Sequence, residues 1–185
     1  MKKLHIICFS LILIGLQACT GDVKDDDQPI TAKDTTKIAV PIDRDDAQFA
    51  VQAANSRLTE VELGKLAIKK GQDKRIKNLG AMLIKDHIKP DAKLQAIAKA
   101  KKITLPITID STDRKIIDDL DKNSGSAFDR AYISSIIKEH QDNVKLFKAA
   151  STQLMDADLR RYATRNLLVY KRHLDLMDVI KESVK

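Results

Sequence analysis

Between about residues 46 and 180, apolar side chains recur in steps of three and four, a spacing that commits the chain to long helices with one buried stripe each. The first stripe reads Phe49, Ala53, Ser56, Glu60, Leu63, Ala67, on a helix expected over residues 46–70 with Asp45 or Asp46 as N-cap and Gly71 as its stop. The second, over residues 73–101, reads Ile76, Gly80, Leu83, His87, Pro90, Leu94, Ile97, with a bend at Pro90, which lacks a backbone donor. The third runs over residues 126–153 with Phe128, Tyr132, Ile133, Ile136, His140, Val144 and Phe147 inward. The fourth follows Asp156 with Leu159, Tyr162, Asn166, Tyr170, His173, Met177 and Ile180.

Short turns near residues 72 and 155 fold these helices into two antiparallel hairpins. The run from Ile103 to Ile109 alternates like a strand but has no partner strand, so it reads as an extended crossover. A short helix after Ser111 would use Ile116, Ile117 and Leu120. The expected fold over residues 45–185 is all-α: a four-helix bundle of ferritin-like type, two antiparallel hairpins joined by a long crossover with a short extra helix. With no Trp, three Tyr and four Phe, aliphatic residues and Ala must fill its core.

The N-terminus carries a different signal. Met1-Lys2-Lys3 precedes an apolar run to Leu16 that is too short to span a bilayer and ends in Leu16-Gln17-Ala18-Cys19. Residues 1–18 therefore read as a lipoprotein signal peptide and Cys19 as the lipidated residue. Residues 19–44 read as an acidic flexible tether, too poor in apolar residues to fold. With Cys8 in the signal and Cys19 under lipid, the domain has no thiol for a disulfide, a nucleophile or a metal. Thr20 stands where an Asp would resemble an inner-membrane retention signal, which favours the outer membrane. Lys24-Asp25-Asp26-Asp27 resembles a signal for surface display, so both the periplasmic face and the cell surface stay open.

Net charge is +7, yet residues 20–46 hold eight Asp against Lys24, Lys33, Lys37 and Arg44, so the domain that follows is strongly basic. That charge suits an anionic envelope polymer or a partner protein, or simply keeps helix faces soluble. No Arg-rich run, phosphate loop or aromatic platform supports nucleic acid.

Each long stripe is interrupted by one polar residue of metal-ligating type: Glu60, His87, His140 and His173. Counted from the two turns, all four fall near mid-bundle, with an offset of about 4.5 Å within each hairpin. One reading is a metal centre of imidazoles and a carboxylate, suited to Cu, Zn, Fe or Mn. Met177, one turn after His173, could add a soft ligand. Asp86 flanks His87, and Asp129, three turns before His140, shares its face with Tyr132 close by. The other reading is a structural polar core in which each imidazole finds a hydrogen-bond partner and fixes helix register. A buried Glu60 with a His beside it could also serve acid–base chemistry. No nucleophile sits at an elbow, and a binding role is the expectation.

Several segments resemble the bacterial domain of unknown function 4142 family. They are Glu60-x-Glu62-Leu63-Gly64-Lys65-x-Ala67, Met82-x-x-x-Asp86-His87, Phe128-Asp129-x-x-Tyr132, His140, and His173 before Leu174. The resemblance covers residues 46–180 and implies a ferritin-like bundle in an exported or lipid-anchored envelope protein, without an established activity. Di-iron bundles carry Glu-x-x-His on two helices. Here Ile84, Ile137 and Tyr170 stand three residues before His87, His140 and His173, so ferroxidase chemistry is not supported.

Overall fold

The computed structural model describes residues 42–88 and 91–184. The signal peptide, Cys19, all but the end of the tether and Pro90 lie outside the described residues. Among those described there are six helices and no strand: α1 (Arg44–Lys70), α2 (Lys74–His87), α3 (Ala92–Ala100), α4 (Ser111–Asp121), α5 (Gly125–Gln153) and α6 (Ala157–Ser183). No helix among these residues is long and apolar enough to cross a membrane.

Local chemistry sets the boundaries. The first N-cap is Asp43, whose carboxylate accepts from Asp45 N at 2.8 Å, two residues before the cap expected from sequence. Asp73, Asp91, Asp110 and Asp156 cap α2, α3, α4 and α6 in the same way. The second long helix is two helices rather than one bent rod: α2 stops at His87, and Asp91 starts α3 afresh with side-chain bonds to Lys93 N and Leu94 N. The β-branched run from Ile103 is irregular, as a segment without a pairing edge must be. On α4, Ile117 and Leu120 are buried but Ile116 is 38% exposed, against expectation.

α1 packs chiefly on α2, and α5 chiefly on α6. The α1–α2 contact depends on Gly64 and Gly80, where the two backbones meet. A Cβ on Gly80 would lie 2.5 Å from Gly64 O and 2.7 Å from Ala67 Cβ. Gly80→Ala gains about 1 kcal/mol of helix propensity, but rigid backbone on the facing helix cannot yield without moving α2. Overpacking of about 1–3 kcal/mol then wins, and the expected outcome is a lower urea midpoint, with Gly80→Leu lower still.

Two buried Asp residues tie the hairpins to each other. Asp46, near the start of α1, accepts from Met155 N (3.0 Å) and Asp156 N (2.9 Å) at the α5–α6 turn. Asp129, near the start of α5, accepts from Gln72 N (3.0 Å) and Asp73 N (2.7 Å) at the α1–α2 turn. Each hairpin thus supplies the carboxylate that satisfies the other's turn. Asp129 follows Asp46, and Asp156 follows Asp73, by the same 83 positions, so the hairpins are related as two copies of one plan. The expectation that Asp129 flanks the central histidines is corrected: facing direction alone placed it there, but its height is that of the turn.

The core divides into two apolar clusters. One gathers Leu63, Ile76, Leu83, Phe128, Tyr132, Ile136, Met177 and their neighbours; the other gathers Phe49, Ala53, Leu94, Phe147, Leu159 and Tyr162 among others. Along every long helix the change of cluster occurs where the polar residue sits. The same ordering fixes direction, with α1 and α6 running one way and α2, α3 and α5 the other.

Candidate metal centre

The layer between the clusters is polar and buried. Glu60 and His140 are fully buried, with His173 at 1% and His87 at 6% exposure. Their heights agree because each lies about half-way along its helical arm, and the four residues proposed from sequence are brought together. Glu60 Oε2 lies 2.7 Å from His87 Nε2 and 3.7 Å from His140 Nε2. The rings of His87 and His140 each stand 5.6 Å from that of His173. One ligand atom each from Glu60, His140 and His173 falls within 4.8 Å of the others.

The outward nitrogens of two histidines are held by the scaffold. His140 Nδ1 lies 3.1 Å from Ile136 O, one turn back on α5, and as the donor there it leaves Nε2 with its lone pair toward the layer. His173 Nε2 lies 3.1 Å from Asp86 Oδ2, which leaves Nδ1 as the lone-pair nitrogen. Glu60 Oε2, His140 Nε2 and His173 Nδ1 are buried without a hydrogen-bond partner among the described residues. His87 Nε2 is close to Glu60 but misaligned for a hydrogen bond.

Sequence reasoning placed Asp86 as a flanking group, and it flanks His173 on another helix. Tyr132 is buried against Phe128, its hydroxyl without a hydrogen-bond partner among the described residues, and Met177 is fully buried in the adjoining apolar cluster one turn along α6 from His173. The sequence reading left out Asn143 and Glu139 and gave Tyr170 and Ser56 no role at the site. Asn143 Nδ2 donates to both Glu139 oxygens at 2.9 Å and reaches Glu60 Oε1 at 3.4 Å, while its own Oδ1 accepts from Ser56 Oγ at 2.8 Å. Tyr170 is buried beside the layer, where the Glu60 charge acts on its hydroxyl, and its ring stacks on His87 with centroids 6.0 Å apart. Asn143 was legible as the residue three after His140, on the same helix face, but the apolar Val144 beside it took that place.

The electrostatics suit a cation. Burial works to raise the Glu60 carboxyl, but the imidazoles of His140, His87 and His173 outweigh it and hold the group below its usual value. Burial lowers His140 and His173 more than the Glu60 charge raises them, so both favour neutral imidazole. His87 is opposite: burial lowers it, yet contact with Glu60 and nearby Asp86 raise it above its usual value. Burial, together with the Glu60 charge, pushes Glu139 and the Tyr132 and Tyr170 hydroxyls upward. A cleft of about 310 Å³ bordered by Arg57, Asp86, Asp91 and Tyr170 opens onto His87 and gives a route from solvent.

Comparison with known proteins gives family and fold. No curated protein matches the chain. The chain is similar in structure to a DUF305 fragment from Deinococcus radiodurans, with a TM-score of 0.65 at 11% identity, over 78% of this chain and 99% of that one. At that identity the likeness speaks for the helical fold alone. The family described as domain of unknown function DUF4142 matches residues 31–180, more than half of the chain, and the protein belongs to that family.

Proposed function

We propose that this domain binds a transition-metal ion at Glu60, His140 and His173, with His87 as a fourth ligand once its contact with Glu60 opens. The observation that carries this reading is the set of three buried ligand atoms that make no hydrogen bond among the described residues, two of them on histidines whose other nitrogen is fixed by a carbonyl or a carboxylate. Such outer partners set tautomer and ring direction at metal sites. Ligand atoms around a tetrahedral ion at about 2.1 Å lie about 3.4 Å apart, so modest side-chain closure suffices. Nitrogen with one carboxylate and no thiolate suits Zn, Cu(II), Fe or Mn. The helix directions fit a four-helix bundle of ferritin-like type, with the ion between facing helices.

The test is metal content of the purified protein after challenge with Zn, Cu, Fe and Mn, against His87→Ala and His140→Ala. The expected outcome is one ion per chain, lost in His140→Ala and weakened about 10–100-fold in His87→Ala. Thermal unfolding should rise with metal by about 2.7 kcal/mol at a hundredfold excess over Kd. Native protein that stays metal-free after challenge refutes the site and leaves the structural polar core. In the same reading the domain is an exported lipoprotein held by Cys19 at the outer membrane. Metabolic labelling with a palmitate analogue, absent from Cys19→Ser, checks that placement.

A further inference from the structure

One helix face has neither core nor partner to explain it. On α6 the buried residues Leu159, Tyr162, Tyr170, His173, Met177 and Ile180 form one side. Diametrically opposite runs a stripe at the same three–four spacing: Arg165, Leu168, Arg172, Asp175, Val179 and Glu182, all exposed. Leu168 is 66% and Val179 69% exposed. Several other surface charges are matched within the chain, as Arg161 is by Asp158 and Asp142 by Lys138 and Lys145. Arg165, Arg172, Asp175 and Glu182 have no ion pair among the described residues, although Arg172 and Asp175 are three positions apart.

We infer that this stripe is a docking face for a second copy of the chain, with the two α6 helices antiparallel about a twofold axis at the level of His173 and Leu174. In that register Leu168 meets Val179, Arg172 meets Asp175 and Arg165 meets Glu182, each pair occurring twice. Every apolar residue faces an apolar one and every charge its opposite, as an isologous contact requires. A parallel pairing would set each charge against itself. An anionic membrane is a poorer occupant, because Asp175 and Glu182 share the stripe with Arg165 and Arg172. Arg172 also borders the cleft to His87, so the partner would stand at the edge of that entrance.

Sedimentation equilibrium of the full chain in density-matched nonionic detergent tests this over a concentration series. The expected result is a species of twice the 20.7 kDa chain mass. Arg172→Asp and Asp175→Arg should each weaken it roughly tenfold or more, and the Arg172→Asp/Asp175→Arg double variant should restore it. A monomer at every concentration, with or without binding to anionic vesicles, overturns the proposal. A dimer indifferent to either single reversal does so too.

Discussion

Asp129→Ala is expected to lower stability by about 3–4 kcal/mol, although the residue's hydrogen bonds are made at the α1–α2 turn and not in the polar layer. Its carboxylate is 2% exposed and accepts from two backbone N–H groups, Gln72 N and Asp73 N, at the start of α2. A charged acceptor contributes about 1.5–3 kcal/mol per bond, and its loss leaves two part-buried donors without their acceptor. The positive end of the α2 dipole adds a few tenths more. Asp129→Asn separates the causes: one oxygen still accepts, but the amide presents N–H to N–H at the other position, so about half the loss should remain. Asp46→Ala removes the equivalent pair at the other hairpin's turn. The sites lie at opposite ends of the molecule, so the double variant should show additive losses. Urea midpoints with unchanged slopes are the measurement.

How far the sequence carried depends on what each residue answers to. Spacing placed the four long helical arms, because burial of one stripe is a property of a single helix. It also placed Glu60, His87, His140 and His173 at one level, since distance from a tight turn is a height. It failed at Asp129, where a face was read without a height, and in running the second helix on past His87, since Asp91 provides a new N-cap for α3. Asn143 was passed over because apolar Val144 took its place on the stripe, and Tyr170 because an aromatic on a stripe has many uses. Only the packed structure shows both turned toward Glu60. The exposed stripe of α6 was legible in principle, but nothing in a single chain says what a surface meets.

In the metal-free protein, Glu60→Leu is expected to cost about 3–5 kcal/mol, the usual consequence of breaking a buried ion pair from one side. His87 would lose the charge that raises it, and the Asn143 amide would lose an acceptor. The cost should depend on pH in a definite way. Glu60 is lowered in the fold, so its contribution is present above about pH 4.5 and lost as pH falls through its folded value. His87 is raised, so its contribution is present below about pH 6.5 and lost as pH rises through its folded value. The deficit of Glu60→Leu relative to wild type should therefore be greatest between these limits and shrink on both sides, as urea titrations at a series of pH values would show. Glu60→Leu/His87→Leu then decides what the layer is for. Replacing a whole buried pair with apolar groups is often neutral or stabilising, so the double variant should recover most of the loss while failing to take up metal. Recovery with metal uptake abolished means that the polar layer is kept at a cost in stability for the sake of the ion. No recovery would mean that Glu60 and His87 hold the helices in register, and the metal reading would then have to stand on His140 and His173 alone.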